Sequence, residues 1–387
     1  MRKRFNKIEV ATISIAHMVH DIYTSFLAPI LPLLIEKLGI SLSMVALLDI
    51  ARKIPALFNP FLGLLAQRKD ARYFVILTPA VTAMAMTLLG LADSYITLFI
   101  LLFIAGISTA LFHIPAPGIV KIASGDKTGF GMSCFMAGGE LARTLGPLVV
   151  TAAITFWGLE GIWRVMPLGL VASLILYFRL KNFGEDYKVT KTKEKGDVKK
   201  VLSETYRFFI LIAMFMIFQS SLKVVMTLYL PLYLTNQGFD LWYAGISLSV
   251  LQFFGVIGTL VSGTLSDKIG RKKTLLVSGL LAVLFMILFL YSKSTFSMFL
   301  SLSLIGLFIF ASGPVLLALV HDLKTDMPTF LNSIYMTINF GVTSSTVFLM
   351  GFIGDHYGLT ATYQTAIGLA LCALPLTFFL SSEKRAL

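Results

Sequence analysis

Apolar runs long enough to cross a bilayer alternate along this chain with short polar breaks, almost from end to end. A helix in lipid must satisfy its own backbone and stay apolar over roughly 20 residues to cover the hydrocarbon. About twelve runs meet that requirement. They predict helices at roughly 9–36, 42–66, 73–92, 95–121, 129–157, 161–181, 205–236, 242–266, 274–292, 296–322, 327–354 and 359–381. The first run is too long for a cleavable leader and is followed by further spans, so no signal peptide is expected.

Composition agrees with the pattern: hydrophobic residues make up 57% of the chain, charged ones 13%, and mean hydropathy is +0.84. The two cysteines, Cys134 and Cys372, sit inside apolar runs, which suggests neither a disulfide framework nor a thiolate metal site. Charge adds orientation. With an even number of spans both termini share a side, and most Lys and Arg fall there, including Arg2, Lys3, Arg4, Arg68, Lys69, Arg271, Lys272 and Lys273. The positive-inside rule puts that side in the cytoplasm of a cell inner membrane. The net charge of +12 is then explained by topology and anionic headgroups, and nucleic acid is not an expected partner because the charge is spread over short loops.

A polar, lysine-rich stretch at 182–204 reads as a cytoplasmic linker between two six-helix bundles, 1–181 and 205–387. The halves echo each other. The predicted eighth span ends in Gly263-Thr-Leu-Ser-Asp267-Lys268-Ile-Gly270-Arg271-Lys272-Lys273. The second ends in Gly63-Leu-Leu-Ala-Gln67-Arg68-Lys69-Asp70-Ala71-Arg72, a degraded copy. Such duplication marks transporters that rock around a midplane site. The second loop fits the G-x-x-x-D-[RK]-x-G-[RK]-[RK] signature, and the whole chain resembles the major facilitator superfamily. That resemblance implies an all-α membrane fold of twelve transmembrane helices in two pseudo-symmetric bundles. Gly263, Asp267, Gly270 and Arg271 become gating candidates, with Asp267 able to pair with Arg271 or to cap a neighbouring helix. The alternative is a basic loop that only enforces topology.

Within the superfamily, three segments resemble the fosmidomycin-resistance group of drug exporters: His17-Met-Val-His20-Asp21, Ala110-Leu-Phe112-His113, and Phe135-Met-Ala-Gly138-Gly139 through Leu145-Gly146-Pro147. The last is similar to a glycine–proline motif of antiporters, with Gly146 and Pro147 as the expected kink. Glu140, Arg143, Arg52 and Lys53 stand where that group is expected to carry small or neutral residues, so the substrate is the least transferable part.

Ionisable groups at membrane depth are costly and require a reason. Asp21 lies near the midplane of the first span with His17 one turn before it, a pair able to load and release a proton, or a static hydrogen bond between helices. Glu140 and Arg143, at i, i+3, read either as a self-neutralising pair or as a switch in which protonation of Glu140 frees Arg143 for an anion. Asp49, Arg52 and Lys53 leave one positive charge without a local partner, which a substrate anion or another helix has to supply. The resemblance implies that the first, fourth, seventh and tenth helices line a central cavity, which places Lys223 there beside Gln219, Ser220 and Ser221. His113 reads equally as a packing hydrogen bond and as a relay. His321-Asp322 reads as a solvated helix end.

No enzyme constellation, Walker loop or metal spacing is present, and the histidines are scattered over separate helices, so no cofactor or metal is expected. The expected function is a monomeric secondary transporter exporting a small organic compound in exchange for protons. Its proton-coupling candidates are Asp21, His17 and Glu140; its substrate-binding candidates are Arg143, Lys223, His113, Arg52 and Lys53. Uptake of a small anionic or zwitterionic solute by proton symport is the first alternative. The second is a non-transporting sensor or scaffold on a transporter fold, which the buried charges disfavour.

Overall fold

The computed structural model of the chain describes residues 5–59, 72–181, 198–323, 325 and 327–380. Among them every regular element is a helix, as a bilayer with no water for strand edges demands. Nine stretches of the described residues are long and apolar enough to cross a membrane. Two of these, Tyr95–Trp157 and Phe330–Leu376, run to 63 and 47 residues, long enough for two crossings each. Large apolar side chains face outward in the manner of lipid contacts: Phe156, Phe178, Leu260 and Phe296 are 63–78% exposed.

The chain divides into two units, Met1–Lys191 with Leu234–Ser249, and Thr192–Tyr233 with Val250–Leu387. In the first unit the apolar run expected as a single helix at 9–36 is broken into α1 (Lys7–Thr24) and α2 (Leu27–Leu38). Asn6 starts α1 by accepting from the Glu9 amide at 3.2 Å. The break has two causes. Pro29 has no N–H to offer the Ser25 carbonyl, and the Thr24 carbonyl accepts from the Arg52 guanidinium at 2.6 Å. The second run gives α3 (Leu42–Lys53), capped by Ser41, which tightens into a 3₁₀ turn at Ile54–Phe58 around Pro55. Its expected continuation to 66, and the degraded loop copy from Gly63 to Ala71, lie outside the described residues apart from the stretch before 60.

The unit continues with α4 (Arg72–Thr87), α5 (Tyr95–His113), α6 (Ala116–Ser124), α7 (Thr128–Trp157) and α8 (Met166–Leu180). α1 packs along α7, and α4 packs on both α5 and α8. Ile13, Val75, Phe112, Ile119, Phe135 and Leu176, drawn from six helices, share one buried cluster. α7 approaches α1 through glycines: a Cβ on Gly138 would fall 2.5 Å from the Ser14 carbonyl oxygen, and one on Gly146 would fall 2.5 Å from Ser25 Cβ. Pro147 lies inside α7, which stays helical on both sides of it.

The second unit is built mainly from α9 (Val198–Leu228), α10 (Leu230–Asn236), α11 (Leu241–Ile269), α12 (Arg271–Leu290), α13 (Thr295–Ile309), α14 (Ser312–His321) and α15 (Pro328–Leu376). The stretch expected as a linker at 182–204 is helical from Val198, and 182–197 lies outside the described residues. The spans expected at 327–354 and 359–381 meet inside α15 at Gly358, whose φ of 81° and ψ of 166° interrupt the helix where a side chain would be strained. α9 lies along α15, and Phe209, Phe215, Leu316, Leu331 and Tyr335 form part of the buried cluster between these helices and α14.

Candidate functional site

Asp21 sits near the C-terminal end of α1, one turn before the break, and is buried at 7% exposure. Its backbone carbonyl accepts from the hydroxyls of Thr24 at 2.8 Å and Ser25 at 3.1 Å, which secures the last turn of α1. The carboxylate meets three imidazoles. His20 Nδ1 is 2.9 Å from Oδ1, His113 Nε2 is 3.2 Å from the same oxygen, and His17 Nε2 is 3.2 Å from Oδ2. His17 and Asp21 share a face of α1 because they are four residues apart. His113 comes from the C-terminal end of α5, 92 residues away in sequence.

Aromatic rings hold these imidazoles in place. Phe112 stacks on His20 with centroids 4.5 Å apart and on His17 at 5.6 Å, and Phe135 stacks on His17 at 4.0 Å. The Nδ1 of His17 donates to the Phe135 carbonyl at 2.8 Å. Its Nε2, close to Asp21 yet off the line a hydrogen bond requires, is buried without a hydrogen-bond partner. Gly139 of α7 opens the space there: a Cβ would lie 2.8 Å from His17 Nε2 and 3.3 Å from Asp21 Oδ2. His20 is fully buried, and its Nε2 is 3.0 Å from the Thr82 hydroxyl of α4. Thr82 donates to Ser108 of α5 at 2.7 Å, and Ser108 donates to the Thr78 carbonyl at 3.0 Å.

The ligand atoms of His17, Asp21 and His113 lie within 4.8 Å of one another, so with His20 three of the five histidines are gathered around one acid. This set could take a cation. With a single carboxylate and imidazoles on every side, a divalent metal would leave surplus positive charge in an apolar bundle. A proton fits without that excess.

The other sequence-predicted residues fall elsewhere. Asp49, buried at 2%, is held by Arg52 at 2.9 Å and by the Lys53 ammonium. Both cations that flank Asp49 in the sequence pair with it, and Arg52 also donates to the Thr24 carbonyl at the α1 break. Arg143 pairs with its own-helix neighbour Glu140, reaching the two carboxylate oxygens at 3.1 and 3.0 Å, and its side chain is 51% exposed. In the second unit Lys223 of α9 is exposed and lies 4.9 Å from the centre of the Phe310 ring. Gly270, with φ of 95°, joins α11 to α12. Beside it Arg271 pairs with Asp267 at 2.6 Å and with Asp322 at 3.2 Å, while a Cβ on Gly263 would meet nothing within 4 Å. Asp322 is therefore an ion-pair partner, where the sequence read as a solvated helix end.

Sequence reasoning passed over Thr82 and Ser108 altogether and named His20 only within a motif. Hydroxyls are common in membrane helices, and nothing in their spacing marks these two.

A family profile for the Major Facilitator Superfamily matches residues 13–344. The chain is 23% identical over 383 residues to the fosmidomycin resistance protein of Escherichia coli (strain K12), covering 97% of this chain and 93% of that protein. It is 24% identical over 276 residues to the multidrug resistance protein MdtG of Salmonella arizonae (strain ATCC BAA-731 / CDC346-86 / RSK2980), covering 68% of each. Among solved structures, a bacterial homologue of the human lysosomal transporter Spinster matches with a TM-score of 0.83 at 14% identity, over 98% of this chain and 97% of that one. A D-xylose–proton symporter matches with a TM-score of 0.73 at 15% identity, over 98% and 99%. With an all-helical fold of membrane-crossing length and a profile match that spans most of its residues, this chain belongs to the major facilitator superfamily of membrane transporters.

Proposed function

We propose that this transporter exports a small organic compound in exchange for protons, and that Asp21 with its histidines couples the two. The observation that carries the reading is the buried Asp21 carboxylate enclosed by three imidazoles, groups that gain and lose a proton near physiological pH. The drug-resistance relatives support export, since both are named for resistance. The basic loops support an inner-membrane location with both termini in the cytoplasm, and the monomer is the working form.

His113, at 38% side-chain exposure, is accessible enough to exchange protons with solvent. Lys53 is the positive side chain of the first unit offered to a substrate anion, and Lys223 is the corresponding group of the second. Arg52 serves the α1 break. Glu140 is a secondary coupling group because Arg143 neutralises it. Arg271, with Asp267 and Asp322, acts on the equilibrium between conformers, with Gly270 giving the loop its freedom; Gly146 and Pro147 shape α7 against α1.

The test is reconstitution in liposomes holding a pH-sensitive dye. A transported compound should drive protons the opposite way when added to one side. A compound that crosses with no proton movement, across a panel of candidate drugs, would contradict antiport.

A further inference from the structure

The hydrogen bonds behind His20 fix where its hydrogens sit. The Thr78 carbonyl can only accept, so the Ser108 hydroxyl spends its hydrogen there. Ser108 then accepts from Thr82, which spends its own hydrogen in turn. The Thr82 oxygen, 3.0 Å from His20 Nε2, must therefore accept, and His20 must carry a hydrogen on Nε2. A neutral His20 in that form turns a bare Nδ1 toward Asp21 Oδ1, 2.9 Å away. Two lone pairs at that distance repel.

We infer that Thr82 and Ser108 are positioning residues that make the His20–Asp21 contact hold one proton more than a neutral imidazole and a carboxylate carry together. That proton lies on the line between His20 Nδ1 and Asp21 Oδ1. It leaves His20 an imidazolium beside a carboxylate, or Asp21 a neutral acid beside a neutral imidazole. Either distribution keeps the pair neutral overall.

The consequence is a link between protonation and shape. When the proton leaves the pair, His20 Nδ1 and Asp21 Oδ1 lose the hydrogen that joins them, and the contact has to open. It could survive deprotonation only if His20 moved its remaining hydrogen to Nδ1, and the ladder from Thr78 forbids this. The groups facing the pair are His17 of the same helix, His113 and Phe112 of α5, Thr82 of α4 and Gly139 of α7. Among the described contacts none of these is a second carboxylate, so no other acid there replaces Asp21 as holder of the proton.

The proton count follows from the hydrogen-bond directions alone; its part in coupling rests on the function proposed above. The experiment is nitrogen-15 NMR of the full-length protein in lipid with labelled histidine, His20 being assigned by its disappearance in His20→Asn. In the parent at neutral pH, His20 Nε2 should carry hydrogen. In Ser108→Ala the freed Thr82 hydroxyl turns round and donates to Nε2, so Nε2 should become bare and Nδ1 protonated. Thr82→Val removes the acceptor and should give the same Nδ1 form, while Thr82→Ser should restore the parent signal. A bare Nε2 in the parent overturns the inference, as does an unchanged signal in both Ser108→Ala and Thr82→Val when both variants are folded and monodisperse. Liposome flux of the same variants separates the two claims. A changed His20 signal with gradient-driven transport intact would leave the proton count standing and remove its role in coupling.

Discussion

The first unit buries three carboxylates, Glu9, Asp21 and Asp49, and the partners of the last two differ in kind. Asp49 is held by Arg52 and Lys53, whose charges are permanent at any physiological pH. Asp21 is held by three histidines, whose charges are not. Burial is nearly the same, 2% against 7%, so depth does not separate the two sites. The partners do. Permanent cations tie Asp49 to a fixed geometry, and one of them also anchors the broken first helix at Thr24. Imidazoles would let the surroundings of Asp21 change charge in the proposed cycle. A buried acid among histidines suits proton traffic, and a buried acid among Arg and Lys suits architecture.

This contrast predicts where substitutions should be felt as lost stability and where as lost coupling. The largest stability effect is expected at Asp49→Ala, which leaves two cations unpaired in the apolar bundle. Breaking such a pair costs about 3–5 kcal/mol in buried sites, and the partial exposure of Arg52 and Lys53 places the expected loss toward the lower end. Thermal unfolding in detergent measures it. If Asp49→Ala is as stable as the parent, Asp49 is not architectural and the contrast fails.

Gly139→Ala comes next. The added methyl overlaps His17 Nε2, and overpacking of this kind costs about 1–3 kcal/mol. Because the methyl enters the pocket itself, coupled flux should fall by more than stability does. Equal stability and flux would show that the gap beside His17 is incidental.

Arg271→Lys should do less. Lysine keeps the charge and loses the fork that reaches Asp267 and Asp322 together. Partly exposed pairs contribute roughly 0.2–1 kcal/mol, so the transport rate should drop by no more than about fivefold, with substrate affinity nearly unchanged. A strong loss of affinity would move Arg271 from gating to binding. The smallest effect is assigned to Arg143→Gln, where a single pair within one helix is worth about 0.2–0.5 kcal/mol. A large loss of substrate binding in that variant would instead mark Arg143 as a substrate contact.

Much of this was legible in the sequence, for physical reasons that also explain what was not. Bilayer thickness sets the length of the apolar runs, so the membrane-crossing stretches found among the described residues were readable. The break in the first run was not, because proline is tolerated in membrane helices and the partner of the Thr24 carbonyl is a side chain from α3. Asp21 and His17 stood out because charge at depth is expensive, and the pairing of Glu140 with Arg143 follows from their i, i+3 spacing. The approach of His113 to Asp21, and of Asp322 to Arg271, joins residues 92 and 51 positions apart, distances over which periodicity carries no information. Thr82 and Ser108 matter through the direction in which their hydrogens point, a property of the assembled helices alone.

The most direct measurement is transport by Asp21→Asn in proteoliposomes, with and without an imposed pH gradient. Asparagine keeps the shape of the acid and cannot exchange the proton. If Asp21 couples the two fluxes, the variant should still exchange substrate across the membrane at equal pH and should fail to accumulate it when a gradient is applied. Accumulation to the parent's level would contradict the account and make the histidine-ringed carboxylate a structural pair like Asp49.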